Sequence, residues 1–567
     1  MPAVETAAEA GSESATRART AGVPFIHKFK TDRNAYVYDV NSGEIIRVDD
    51  VVWQIIEDSY CRKDDVISKY TPQYTRDEIA RAYDEICTAR DSQNLFLDFR
   101  PEITMPHSRA AIRDSLNSER EQLILNVTER CNFRCDYCSF TRTNMSWRSH
   151  GQRDMSWETA RAAIDEFLAH CRFCEAKPHP DPASDAGSAV DVSEQFPPAI
   201  TFYGGEPLLN FPLIKKCVEY TLERVQGQRV CLALTTNGYL LKGNVAKFLA
   251  THGVVVKVSL DGPASVHDQH RRTADGLPTW STVVENLKAY YRDYPDYHAP
   301  GLAVTIPRTV NLLEVQDYLT KAEWIPDSVH IRCRVESEPE AGYFDRINYP
   351  NGAPDGMEES SRVYHKRLID GWGVSKTMDR EFNFQSSLFD GVYRDLYRRG
   401  RTVHCSEHQH LPERYAPFTT CVAGARRTFA SVDGHYYPCE RVPEHEDYRI
   451  GSVSTGIDLD KVYMLAKYFT ECTHVRCRNC WALRTCRVGC YSNVREGTTC
   501  TKASKERICE ESLQHTHNGL VRYCEILERN PHAFDHLSRG IHNLQDLENL
   551  REIIRVEQVR AKAPKVE

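Results

Sequence analysis

The sequence predicts an α/β protein built on a parallel sheet curled into a partial (β/α)6 barrel. Two observations predict it. From residue 121 short apolar runs alternate with amphipathic stretches of helical period. A cysteine triplet then stands directly after the first of those runs, at the strand end where barrels of this kind build their sites. A third observation sets the surroundings: 567 residues are too many for one ordinary core and ask for two to four domains.

The elements follow in order. Residues 1–23 are Ala-, Glu- and Thr-rich, without periodicity or an apolar stretch, and read as a disordered tail rather than a secretion signal. Between 24 and 105 a small separate domain is expected. Its β-prone runs are 25–29, 36–40 and 45–48, with Asn41, Ser42 and Gly43 supplying the turn between the last two. Val51, Val52, Ile55 and Ile56 then recur at helical spacing. A later helix starts at Thr75, where Glu78 completes a capping box. The barrel is expected over 118–340, with strands at 123–128, 199–203, 230–236, 254–260, 302–306 and 330–335. Their near-continuous apolar character fits a buried parallel sheet. Residues 175–197, rich in Pro, Asp, Ala and Ser, read as an inserted surface loop. Beyond the barrel, 341–415 reads as a helical bridge, 416–515 as a loop-rich cysteine domain and 516–567 as a polar helical tail.

Composition narrows the function. There are 72 Lys and Arg against 80 Asp and Glu, for a net charge of -8, which argues against nucleic acid as the main partner. No apolar run approaches the 18 or so residues of a membrane span. With no export signal, a reducing cytoplasmic setting is expected. There the 21 cysteines point to metal binding rather than disulfides.

Cys131, Cys135 and Cys138 are spaced C-x3-C-x2-C within Glu129-Arg-Cys-Asn-Phe-Arg-Cys-Asp-Tyr-Cys. Three thiolates on one loop can hold three irons of a four-iron cluster and leave the fourth open for a ligand. A structural zinc site, or three reduced core cysteines, are the competing readings. With Phe133 and Tyr137 set among the cysteines, the segment resembles the signature of the radical S-adenosylmethionine (radical SAM) superfamily. That resemblance implies a TIM-type barrel and a [4Fe–4S] cluster whose open iron chelates SAM. It further implies reductive cleavage of SAM to methionine and a 5′-deoxyadenosyl radical that abstracts hydrogen. Tyr203-Gly204-Gly205-Glu206-Pro207, at the second strand end, is similar to the superfamily motif that holds the SAM amino group; by itself it could be an ordinary turn. Ser259 and Asp261 end the fourth strand where related enzymes bond ribose hydroxyls. Thr235, Thr236 and Asn237 are weaker SAM candidates. Arg271 could pair with the methionine carboxylate, though a solvated arginine is the expectation.

Nine more cysteines lie between Cys421 and Cys509, including C-x2-C-x5-C-x3-C at Cys477, Cys480, Cys486 and Cys490. The bland reading is a zinc ribbon with Cys477 and Cys480 as one knuckle. The whole field resembles the SPASM extension of radical SAM peptide maturases, which binds two auxiliary [4Fe–4S] clusters. Carried over, the nearer cluster takes Cys421, Cys439 and Cys490 with Cys405 as fourth. The outer one takes Cys477, Cys480, Cys486 and Cys509, with Cys500 competing for the last place. If Cys405 does not ligate, an open iron is left that could receive a substrate thiolate. Cys472 fits no slot. Cys171 and Cys174 form a C-x2-C of little weight, and the remaining cysteines read as small core or surface residues.

The amino-terminal segments 26–29, 36–43 and 48–50 resemble the starts of maturases that install thioethers in Cys-rich peptides. Such starts carry a winged-helix-like element, similar to the PqqD type, that takes a leader peptide as an added strand. The strand at 36–40 is the expected neighbour of that edge; a purely structural cap is the alternative. The resemblance thus implies an enzyme that forms cysteine-derived thioether crosslinks in a ribosomally made precursor peptide. It would use three [4Fe–4S] clusters, SAM and an electron donor such as flavodoxin or ferredoxin, with neither nucleic acid nor membrane as partner. Related maturases that make carbon–carbon links, or that oxidise a protein side chain, would carry similar cysteine fields. From another class, a multi-zinc scaffold remains a rival.

Overall fold

The computed structural model describes residues 22–138, 150–171, 173, 197–297, 299–336, 352–371, 380–397, 410–416, 421–486, 488–491 and 501–538. The calls on Cys174, Cys405, Cys500, the inserted loop, the first 21 residues and the end of the chain lie outside them. The described residues form two compact units, 22–100 with 410–411 and the rest from 101 onward.

In the first unit β1 (Ile26–Lys30), β2 (Ala35–Asp39) and β3 (Ile45–Val48) pair antiparallel in that order. The turn between β2 and β3 closes on Asp39, whose carboxylate accepts from Ser42 Oγ at 2.8 Å, while Gly43 takes φ 78°. Three helices follow: α1 (Asp50–Ile55), capped by Asp49, α2 (Lys63–Tyr70), and α3 (Arg76–Gln93), which opens with the Thr75–Glu78 capping box. Val37, Val52, Ile55, Ile79 and Ile86 close a core between sheet and helices. One expectation is corrected. The 36–40 strand cannot neighbour an added leader, because β2 is the middle strand, paired on both sides and buried throughout. The edges of this sheet are β1 and β3.

In the second unit β4 (Glu102–Ile103) and α4 (Arg109–Ser118) lead into the barrel. Its strands are β5 (Gln122–Thr128), β6 (Ala199–Gly204), β7 (Cys231–Thr236), β8 (Val255–Ser259), β9 (Gly301–Ile306) and β10 (Ile331–Val335). They pair parallel and in sequence order. Between them run α5 (Trp157–Leu168), α6 (Phe211–Val225), α7 (Gly243–Thr251), α8 (Ala264–His270), α9 (Trp280–Asp293) and α10 (Leu312–Lys321). These helices present apolar residues at a spacing of three or four, as Leu213, Ile214, Cys217, Val218 and Val225 do on α6.

The strands are not apolar on both faces as expected. Burial alternates along β6, β7 and β9, with Phe202, Leu234 and Val304 sealed beneath the helices. The alternate residues, among them Thr201, Thr235 and Thr305, are only half-buried on the other, concave face. A barrel that does not close keeps that face open: β10 and β5 are not paired with each other.

The predicted bridge contains α11 (Met357–Ile369) and α12 (Arg380–Tyr397), then β11 (Arg414–Tyr415), which pairs with β4. α12 packs against β10, and Ser387 Oγ accepts the Cys333 backbone N–H at 3.2 Å, which blunts the sheet edge. The cysteine domain extends the sheet. β12 (Thr428–Ala430) pairs parallel to β5, and β13 (His435–Tyr437), β14 (Gly451–Ser452) and β15 (Gly456–Ile457) follow antiparallel. α13 (Leu459–Glu471), α14 (His474–Arg478) and α15 (Lys502–Leu527) complete it; α15 runs unbroken across position 516. Among the described residues no helix is long and apolar enough to cross a membrane.

Candidate active site

The loop after β5 is fixed from two sides. On one side Thr128 Oγ1 donates to Asp154 at 2.5 Å and Arg130 grips the same carboxylate with two nitrogens, at 3.0 and 2.6 Å. On the other, a run of backbone bonds ties the loop to the segment after α8. Arg134 N donates to Arg272 O, Asp136 N to His270 O, and Ala274 N to Asn132 O. Cys131, Cys135 and Cys138 hang between these supports, Cys135 buried and the others half-buried. Burial pushes the Cys131 and Cys135 thiols up to about 12; Cys135 has both other thiols among its charged neighbours, and Cys131 has Glu206 and Cys138.

The glycine pair after β6 meets this loop directly. Gly205 N donates to Thr128 O at 3.0 Å and Glu206 N to Arg130 O at 2.8 Å. A Cβ at Gly204 would lie 2.3 Å from Thr128 O. At Gly205 it would lie 2.4 Å from Arg130 O and 2.9 Å from Cys131 Cβ. Only glycine allows this approach. Glu206 is buried and looks inward to the protein: it accepts from Thr236 Oγ1 at 2.6 Å, Asn237 N at 2.7 Å and Leu208 N at 3.1 Å. Burial raises its pKa, and those three donors pull it back. Asn237 in turn donates to Asn132 in the cysteine loop at 2.8 Å. The third strand end therefore braces the second.

Arg271 is 6% exposed, which corrects the expectation of a solvated side chain. Its Nη1 donates to Tyr137 Oη at 2.7 Å, and Tyr137 donates to Asp261 Oδ2. Asp261 Oδ1 accepts from Thr305 N at 2.9 Å. Burial raises the Asp261 pKa, while Arg271 and Tyr137 oppose the rise. Arg271 Nε is buried without a hydrogen-bond partner. Ser259 is half-buried on the concave face, beside Ala303. Thr235 lies on the same face, paired with Lys257.

Residues 125–305 match the Radical SAM superfamily. The protein is an enzyme. Among its relatives, an uncharacterised protein of Methanocaldococcus jannaschii is 29% identical over 199 residues, 35% of this chain and 57% of that one. A cysteine-type anaerobic sulfatase-maturating enzyme of Clostridium perfringens is 22% identical over 435 residues, 75% of this chain and 98% of the relative. Of solved structures, "Native anSMEcpe with bound AdoMet and Kp18Cys peptide" is similar with a TM-score of 0.46 at 17% identity, covering 70% of this chain and 99% of that one.

A radical SAM domain binds SAM and a [4Fe–4S] cluster, and the residues present fit both. Three thiols on a rigid loop match a cluster with one open iron. The glycine cradle brings main chain against that loop, and the unpartnered Arg271 Nε suits the carboxylate of an amino acid. Among the described residues no three His, Cys, Asp or Glu side chains are gathered tightly enough for one metal ion. The thiolates of a cubane each hold a different iron, so they stand further apart than that.

Two further thiol groups lie in the cysteine domain. Burial, and then the neighbouring Cys490, raises the Cys421 thiol. Burial pushes Cys439 up to about 12, with Cys490 and Cys421 also beside it. Separately, Cys477, Cys480, Cys486 and Cys509 line one cavity with Leu483 and Val488. Burial raises all four of these thiols, Cys480 to about 11 and Cys486 to about 12. Lys505, fully buried, sits against this group and donates to Phe469 O at 2.6 Å. Sequence reasoning missed Asp154, Asn132, Thr305 and Lys505. None carries a local signal, because each acts on a partner that only the fold brings near.

Proposed function

We propose that this enzyme is a maturase that modifies a ribosomally made peptide, forming thioether links between a cysteine sulfur and a carbon of another residue. The observation that carries the reading is the presence of two thiol groups in the cysteine domain, apart from the loop at the barrel mouth. In this reading Cys131, Cys135 and Cys138 hold the cluster that works with SAM. Gly204 and Gly205 offer main-chain atoms to the SAM amino group, Glu206 positions them, and Arg271 takes the carboxylate. Ser259 takes the ribose, and Asp261 with Tyr137 orients Arg271. Cys421, Cys439 and Cys490 hold the nearer auxiliary cluster, and Cys477, Cys480, Cys486 and Cys509 the outer one. When bound, SAM and its cluster supply the radical that removes a hydrogen atom from carbon. Forming the link also releases the thiol proton and one electron, which the cysteine domain is suited to accept. Residues 24–105 would receive the leader, along β1 or β3, and a flavodoxin or ferredoxin would supply electrons.

Anaerobically purified protein is expected to be brown and to carry on the order of twelve irons. Replacing Cys131, Cys135 and Cys138 together by Ala is expected to abolish deoxyadenosine formation. Colourless protein with stoichiometric zinc would overturn the reading.

A second reading has its own support. The sulfatase-maturating relative aligns over 98% of its length, which favours oxidation of a single side chain. Fragmentation mass spectrometry of the product separates the two: a crosslink loses two hydrogens and joins two residues, whereas a side-chain oxidation alters one.

A further inference from the structure

The concave face of the barrel carries cations that no nearby carboxylate answers. Lys257 pairs with Gly301, Ser259 with Ala303, Ala303 with Arg332 and Thr305 with Arg334. Paired residues of parallel strands share a face, so Lys257, Arg332 and Arg334 look into the same open space as Ser259 and Thr305. Arg332 stands level with Ser259. Arg334 stands level with Thr305, whose N–H meets Asp261. Lys257 is half-buried and the two arginines are exposed.

Lys257 and Arg332 repel one another. Burial and then Arg332 lower the Lys257 pKa, and burial followed by Lys257 and Arg332 lowers that of His330. Among the described residues none of the three cations has a carboxylate within ion-pair distance. Asp261 is occupied by Tyr137 and Thr305, and Glu336 is buried with partners of its own. In a chain of net charge -8, three cations on one face of the sheet with no carboxylate beside them raise the local positive potential and draw an anion there.

We propose that Lys257, Arg332 and Arg334 form a carboxylate-receiving wall, and that the substrate peptide carries Asp or Glu close to the residue that reacts. The inference rests on the peptide-modifying reading. Its chemistry is that of a carboxylate, which either a peptide side chain or SAM could bring.

The test uses the anaerobic full-length holoenzyme with fluorescein-labelled deca-glutamate and deca-glutamine as probes, read by anisotropy. SAM affinity is measured in parallel by equilibrium dialysis. Deca-glutamate is expected to bind at least about tenfold more tightly than deca-glutamine. K257M, R332Q and R334Q are each expected to weaken it by about three- to tenfold, with R334K retaining most of the affinity. SAM affinity and peptide-free deoxyadenosine formation should stay unchanged in these variants. Equal binding of the two probes overturns the proposal, as does undiminished deca-glutamate binding by all three variants. So does a loss of SAM affinity with peptide binding intact, which would assign the cations to SAM. Failure of the wild-type protein to cleave SAM would instead count against the maturase reading, leaving the probe comparison to stand alone.

Discussion

At Gly205 there is no room for a methyl group. Gly205→Ala would drive its Cβ against Arg130 O and Cys131 Cβ, at 2.4 and 2.9 Å, and neither atom belongs to a flexible chain end. The cysteine loop must move, and a displacement of that size at reacting groups costs about a hundredfold in rate. Deoxyadenosine formation measures it. Tyr137→Phe acts differently. It removes the hydroxyl between Arg271 and Asp261 and leaves those two 3.8 Å apart. A loss of about 1–3 kcal/mol in stability is expected, read from urea midpoints, together with weaker SAM binding. The cysteines at these positions were legible from spacing alone, because C-x3-C-x2-C is local. Asp154 and Asn132 were not, since their roles depend on partners 24 or more positions away, and Arg271, though named as a candidate, gave no sign of its burial.

Among the elements, α11 and α12 carry an acid-sensitive contact. His365 Nε2 lies 2.6 Å from Tyr393 Oη in a buried site. Burial, and then Arg522, pushes its pKa down from 6.5 to about 4. The folded protein keeps it neutral while the unfolded chain protonates first, so its stability contribution is complete above about pH 6.5 and is lost as pH falls toward 4. At pH 5 the loss is about 2 kcal/mol. His365→Gln should remove that difference, and urea midpoints at pH 7 and pH 5 for both proteins check it. The barrel elements were legible because alternating strand and helix periods repeat over six units: the run at 123–128 appears as Gln122–Thr128. The short strands of the cysteine domain were not, since β12 to β15 have two or three residues each, too few to show any period. The concave face was misread for a related reason. Ala and Thr alternate with Leu, Val and Phe there, and the sequence does not distinguish an open lumen from a filled one.

For the whole molecule, the two compact units suggest a division of labour that deletion can test. A chain lacking residues 1–100 is expected to cleave SAM as before and to lose most of its affinity for a leader-bearing precursor; unchanged peptide affinity would sink the leader-binding role. The pairing of β12 with β5 has a consequence in time. β5 leaves the ribosome some 300 residues ahead of Thr428–Ala430, the strand that completes its far side. At about 5–20 residues per second the wait is roughly 15–60 seconds. Throughout that interval the strand that leads into the cysteine loop is an uncovered edge. Nascent chains that stop before residue 428 should therefore be the ones that aggregate, and iron loading at Cys131, Cys135 and Cys138 should come late in the life of the polypeptide, after its carboxyl-terminal third has been made.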